Sequence, residues 1–491
     1  MEEIDELDSY VLSQRAVSSA VTLVGRKLAL RGFSYLATII LARILTPEIF
    51  GVFAIISFIV TFFSFFSDVG LGAALIQKKE KLTKTELSTA FFTQETLVIA
   101  LCVIMFLAAI PIARHYGLDN SGIWLIRLAS ISLVLTSLKT IPSILLERVL
   151  KYNRLIVVEF IEVVSFQLIA VALALAGFGV WSFIIALVAR SFLGLVTLYI
   201  LSPWFPSLSF DISSVKSLVK FGIPYQSNYF IALFKDSLTP VFVGLIAGAA
   251  AVGYLNWAFT FSKIPIEFMS DFFRITFPAY SRIQHDNELV KKSIEKTLFV
   301  TNAIIFPGVF FLMALAFPIV HLIFTDKWLP ALPAFYIHSL GVLVVGISNT
   351  FSNTFWALGK VKIASTLMII YAIINWVVSV PLVLKFGFIG AVMGSAVVLY
   401  ISLPLSIYFM NKIVKVDILG NSFQPFFAAL FSGAATYLVA GKWATNIPYL
   451  FAISVFGGVL YLTLLYLFGP NKLKREVLWV WQRVHKNQQA V

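Results

Sequence analysis

Charge is what this chain of 491 residues has least of: 12% of its side chains are charged, 59% are hydrophobic and mean hydropathy is +0.93. One soluble core cannot cover that much apolar surface, so a soluble globular fold is excluded and an integral membrane protein is expected. The single cysteine, Cys102, lies inside an apolar run, which excludes an intramolecular disulfide and a cysteine-ligated metal cluster. The histidines (His115, His285, His321, His338 and His485) are scattered, with no His-Glu-x-x-His zinc helix. Gly359 and Lys360 lack the hydroxyl residue and the earlier glycine of a phosphate-cradling loop, which removes a built-in nucleotide motor. An Asp-x-Asp pair for a divalent ion is also missing, and outer connections such as Arg114 to Gly122 are short. Catalysis is therefore not expected, nor is a metal or cofactor; a proton or a sodium ion is the candidate coupling species. The acidic start, Met1 to Asp8, precedes no short apolar core with a cleavage site, so the first span is expected to be retained.

What the chain does have is long apolar stretches, about fourteen of them at about 20 residues or more. They run from 22–45 to 447–468, with the seventh at 218–247 and the eighth at 251–277. Their apolar character is continuous rather than alternating, which predicts an all-α polytopic fold and not a barrel. Alternate connections collect the cations: Lys78, Lys79, Lys81 and Lys84, then Arg148, Lys151 and Arg154, and finally the tail's Lys472, Lys474 and Arg475. The opposite set holds little beyond Arg114, Lys327, Lys385 and Lys442. The positive-inside rule then places both termini in the cytoplasm. The net charge of +13 is a topology signal rather than a nucleic-acid surface.

Two turns recur about two hundred residues apart, the signature of a duplicated plan. Pro47, Glu48, Ile49, Phe50 and Gly51 are echoed by Ala249, Ala250, Ala251, Val252 and Gly253. Phe178, Gly179, Val180 and Trp181 are echoed by Phe386, Gly387, Phe388 and Ile389. The expected organisation is a cytoplasmic segment 1–20, a six-span N-lobe 21–201 and a Ser/Pro/aromatic linker 202–217. A six-span C-lobe 218–411, an accessory pair of spans 412–468 and a basic amphipathic tail 469–491 follow. An even number of crossings per repeat gives the lobes the same orientation, related by a pseudo-two-fold axis along the membrane normal.

Charges inside apolar spans cost about 2.5–3.5 kcal/mol on insertion scales and are expected to face a wet cavity or a partner. In the first half Arg31, Arg127, Lys139 and Arg190 are the candidate cavity cations, while Arg26 and Lys27 are shallow enough to reach headgroups. Glu95, Glu159 and Glu162 are candidate counter-ions, with a Lys139 to Glu162 bridge expected. In the second half Lys263, Glu267, Asp271 and Arg274 share one helical stripe whose signs can cancel. Lys235 and Asp236 interrupt the seventh span between Pro224 and Pro240, which makes these prolines candidate hinges. Trp181 and Trp204 are expected as membrane anchors rather than sugar platforms.

The segment Leu41, Ala42, Arg43, Ile44, Leu45, Thr46, Pro47, Glu48, Ile49, Phe50, Gly51, followed by Asp68, Val69, Gly70, Leu71 and Gly72, resembles the polysaccharide transporter family of Wzx-type flippases. That family belongs to the multidrug/oligosaccharidyl-lipid/polysaccharide exporter superfamily. The resemblance implies two six-helix lobes around a central cavity and alternating access in a bacterial cytoplasmic membrane. It also implies a cargo of undecaprenyl-pyrophosphate-linked oligosaccharide, moved to the outer leaflet for exopolysaccharide or O-antigen-type synthesis. The partners expected on this basis are the lipid-linked cargo, the bilayer and a polysaccharide polymerase with its export machinery, with the chain itself a monomer. A multidrug exporter of the same superfamily and a membrane glycosyltransferase or polymerase are the competing readings.

Overall fold

The computed structural model describes residues 9–68, 70–78, 80–216, 218–220, 222, 226 and 238–469, without the side chains of 9–24, 26, 68, 238, 271, 274 and 275. Pro224, Lys235, Asp236 and the tail beyond Gly469 lie outside them. The first half contains α1 (Ser9–Ile44), α2 (Pro47–Asp68), α3 (Leu71–Gln77), α4 (Lys84–His115), α5 (Asn120–Ser137), α6 (Thr140–Arg148), α7 (Tyr152–Leu175) and α8 (Trp181–Leu201). The second half contains α9 (Leu238–Ser262), α10 (Ile264–Ile283), α11 (Asn287–Ile319), α12 (Leu332–Ala357), α13 (Val361–Phe386) and α14 (Phe388–Asn411). A π-helical turn, Val320–Phe324, and a 3₁₀ turn, Asp326–Ala331, join α11 to α12, and the accessory pair is α15 (Ile418–Trp443) and α16 (Ile447–Phe468). No strand occurs among the described residues.

Twelve helical stretches among the described residues are long and apolar enough to cross a bilayer. The chain is a multi-pass membrane protein. Three of the apolar stretches expected from sequence divide differently. In α1 the cations Lys27, Arg31 and Arg43 interrupt the apolar run, and the seventh and eighth stretches meet inside α9. The backbone there breaks at Gly248 (φ 81°, ψ 174°), and Pro240 sits in the first described turn. Residues from Ala249 run on through Lys263 into α10.

Both halves use one packing plan. In the first, α4 packs on α5, α5 on α8, α7 on α8 and α2 on α5; in the second, α11 packs on α12, α12 on α14, α13 on α14 and α9 on α12. The repeated turns share a glycine at positive φ: Gly179 has φ 57° before α8 and Gly387 φ 60° before α14. The other repeated pair meets face to face. A Cβ on Gly51 would overlap the Ala249 carbonyl, and one on Gly253 would overlap the Pro47 carbonyl. Each copy's glycine admits the first turn of the other copy's helix, an isologous contact across the pseudo-two-fold axis. Farther along α2, Gln226 donates to the Phe65 carbonyl at 3.0 Å, so α2 touches the second half at both ends.

The accessory helices α15 and α16 pack on α11 and on each other. The linker is fastened to α4: the Ser207 N–H donates to Ser88 Oγ at 2.9 Å, the Asp211 N–H to Thr89 Oγ1 at 3.0 Å, and Trp204 meets Phe91 edge-on. Hydrogen bonds from Ser213 and Ser214 hold the Asp211 carboxyl well below the usual carboxylate range. Trp204 is partly buried against one apolar cluster, and Trp181 is partly buried against the main core.

Candidate functional site

The helix α1 carries Lys27, Arg31, Ser34, Tyr35 and Thr38, which at 3.6 residues per turn form one polar stripe. That stripe walls an open cavity of about 420 Å³ between the halves, also lined by Glu159 of α7, Thr260 of α9 and Glu267 of α10. Lys27 therefore lines the cavity instead of reaching only for headgroups. Arg31 crosses the gap: Nη1 donates to the Glu267 carbonyl oxygen at 2.8 Å and Nη2 to Ser270 Oγ at 3.3 Å. Tyr35 donates its hydroxyl to Glu267 Oε2 at 2.6 Å. Arg31 thus meets the backbone of Glu267 while the tyrosine holds its carboxylate. The lining pairs two cations with two carboxylates, so the wall is amphoteric, not the cationic surface expected of the first half alone.

The other candidate residues lie elsewhere. Arg127 stacks on Phe106 and Trp124, with its guanidinium carbon 4.2 Å and 5.1 Å from the ring centroids, and its Nε donates to the Phe106 carbonyl at 3.4 Å. Both rings are exposed, so Arg127 sits on the outer surface of the bundle and not in the cavity. Arg190 is half-buried on α8, outside the cavity lining, and makes no hydrogen bond or ion pair with the described residues. Lys139 pairs with Glu162, and both side chains are largely buried, at 13% and 14% exposure. Glu162 occupies the space that a side chain on Gly194 of α8 would fill. Lys139 is therefore committed within the first half. Glu95 is buried and accepts from Ser137 at 2.9 Å.

In the second half two members of the expected four-charge stripe face different cavities. Lys263 turns into a smaller cavity of about 160 Å³ with Thr239, Phe259, His338 and Asn375, while Glu267 faces the larger one. The side chains of Asp271 and Arg274 lie outside the described residues. His338 is buried on α12 and its Nδ1 lies 2.7 Å from Ser262 Oγ. Sequence reasoning passed over Tyr35, Ser270 and His338. The helical spacing of Lys27, Arg31, Ser34 and Thr38 was the available signal for the α1 wall.

Away from the cavity, at its Arg43 end, α1 is clasped by the turns between α11 and α12. Arg43 Nη1 donates to the Leu322 and Ile323 carbonyls at 3.3 Å and 3.2 Å. Lys327 Nζ donates to the Arg43 carbonyl at 2.8 Å, and Trp328 Nε1 to the Ala42 carbonyl at 2.9 Å. The last carbonyls of a helix lack intrahelical donors, and the second half supplies them here. Thr325, at φ 95°, forms the sharp turn that brings Lys327 and Trp328 back to α1.

A family model for polysaccharide biosynthesis proteins matches residues 40–333. The chain belongs to this family. Among its relatives is the succinoglycan biosynthesis transport protein ExoT of Rhizobium meliloti, 27% identical over 65% of each chain. The lipopolysaccharide biosynthesis protein WzxC of Escherichia coli is 24% identical over 85% of each. A membrane protein of the cps region of Klebsiella pneumoniae is 26% identical over 92% of this chain and 94% of its own. In fold, the chain is similar to the lipid II flippase MurJ in an inward closed conformation, with TM-score 0.76 and 17% identity over 91% of this chain and 99% of MurJ. An inward-facing multidrug transporter of the MATE family and MOP superfamily gives TM-score 0.60 at 15% identity over 77% of this chain and 93% of its own. This polysaccharide-biosynthesis family member has the fold of that transporter superfamily, and the comparison proteins named for an activity are transporters and flippases rather than enzymes.

Proposed function

We propose that the protein is a flippase that carries undecaprenyl-pyrophosphate-linked oligosaccharide from the cytoplasmic to the outer leaflet by alternating access, with both termini in the cytoplasm of a bacterial inner membrane. The observation that carries this reading is the cavity between the halves, walled by Lys27 and Arg31. A pyrophosphate crossing a low-dielectric region needs fixed cations, and the planar guanidinium of Arg31 offers several donors to phosphate oxygens. Two of its acceptors, the Glu267 carbonyl and the Ser270 hydroxyl, are neutral groups, weaker partners for a guanidinium than phosphate oxygens.

The carboxylates of Glu159 and Glu267 in the same wall favour a second reading, export of cationic drugs. The Tyr35 hydroxyl on Glu267 leaves that carboxylate less available to a cation, so the flippase reading is preferred. In a strain deleted for the gene, lipid-linked oligosaccharide is expected to accumulate on the inner leaflet. The wild-type gene should clear it, and Lys27→Ala with Arg31→Ala should not, at equal protein abundance. Undiminished surface polysaccharide in the deletion strain, together with drug resistance on overexpression, would instead favour the second reading.

A further inference from the structure

The first half contains a second polar junction, at the break between α5 and α6. Every residue of the break is held by another helix. Ser137 meets Glu95 of α4, the Leu138 carbonyl accepts from Tyr199 of α8 at 3.3 Å, Lys139 pairs with Glu162 of α7, and Thr140 accepts from Gln94 of α4 at 3.0 Å. Glu95 lies eleven residues beyond the start of α4, about 16 Å along the helix at 1.5 Å per residue. It is 8% exposed. Its Oε2 is 2.9 Å from Ser137 Oγ, and its Oε1 is buried with no hydrogen-bond partner among the described residues.

An ionised carboxylate in that position would carry one serine hydroxyl and no cation. The nearby charged and titratable groups are Lys139, Glu162 and Tyr199; Lys139 is committed to Glu162, and Tyr199 donates to the Leu138 carbonyl. Ser137 has one hydroxyl proton and two neighbours within reach, Glu95 Oε2 and the Val134 carbonyl, each at 2.9 Å. The carbonyl can only accept. If the serine donates to Val134, Glu95 must supply the proton between Oε2 and Oγ, and a neutral carboxylic acid does so with no buried charge. If Glu95 is ionised, the serine proton turns to it, the Val134 carbonyl loses that bond and a bare carboxylate oxygen stays buried.

We propose that Glu95 is a proton-binding site: it holds a proton on Oε2 in the state described here, and its carboxylate form belongs to a second arrangement of the α5 to α6 break. In a transport cycle the carboxylate takes up one proton from one side of the membrane and releases it to the other as Ser137 moves, coupling cargo movement to a proton gradient. The coupling rests on the flippase reading; the proton site does not.

Infrared difference spectra of the purified full-length protein between acid and alkaline pH test the site without any cargo. Wild type is expected to show a protonated-carboxyl C=O band at neutral pH that is lost in Glu95→Gln and shifted in Ser137→Ala. A spectrum unchanged by Glu95→Gln would overturn the site. Surface polysaccharide tests the coupling, with protein abundance measured in the same cells. Glu95→Gln should lower export at least tenfold and Glu95→Asp should restore much of it. Wild-type export by Glu95→Gln, alongside loss of the band, would leave a buried acid and overturn the coupling. A deletion strain with no export defect would instead sink the flippase reading, and the infrared result would still decide the proton site.

Discussion

Two stretches of α1, one around Lys27 to Tyr35 and one at its Arg43 end, are held to the second half in opposite ways. At the Arg43 end the contacts are backbone to backbone or donor to backbone. Gly51 and Gly253 admit each other's neighbouring helix, Trp328 has no exposed surface, and Arg43 and Lys327 satisfy carbonyls across the gap. At the Lys27 end, side chains meet across a cavity of about 420 Å³, through Arg31, Tyr35, Glu267 and Ser270. A close-packed contact loses dispersion and burial wherever it opens, whereas polar side chains in a wet cavity exchange one partner for another at small net cost. The Arg43 end is thus the close-packed contact and the Lys27 end the exchangeable one; under the proposed flippase function, the cavity would load at the Lys27 end.

That contrast can be broken first at its tightest point. Gly253→Leu drives a side chain into the Pro47 carbonyl and must part α2 from α9, at about 3 kcal/mol or more. Most folded protein should be lost, as read by thermal unfolding in detergent; normal stability would show that the helices separate easily. Trp328→Ala should come next, at about 3–5 kcal/mol for the side chain removed from a fully buried site. An unfolding midpoint within a degree or so of wild type would show that the clasp holds little. Tyr35→Phe at the other end should be smallest in stability, about 1 kcal/mol or less. Its sharper effect should be on export, because the freed Glu267 carboxylate becomes a competitor for the cavity cations; unchanged export would remove Tyr35 from the site.

Much of this architecture is legible in the sequence. Continuous apolar runs specify helices, and the Gly51 and Gly253 echo marks the duplication, because both copies need a residue without a side chain. Their meeting each other is a tertiary fact that no local pattern encodes. The depth of Arg31 pointed to a cavity, and the matched depths of Lys139 and Glu162 pointed to their bridge. The same depth rule failed for Arg127, since helix rotation decides whether a buried cation faces a cavity or aromatic rings on the outer surface. It also failed to separate Lys263 from Glu267, four residues apart in one helical path but facing different cavities. Glu267, brought to the α1 wall by α10, joins Glu159 of the first half there, a meeting across the halves that the first half read alone could not reveal.

The most direct measurement is a thiol cross-link across the Arg43 end. In a background with Cys102→Ser, the pair Arg43→Cys and Leu322→Cys joins α1 to the turn that clasps it. If the Arg43 end must part for cargo to leave, a short bifunctional cross-linker should stop surface polysaccharide formation in the double variant and spare each single variant. Reduction of a cleavable linker should restore it. Continued export by fully cross-linked protein would contradict alternating access through this closure.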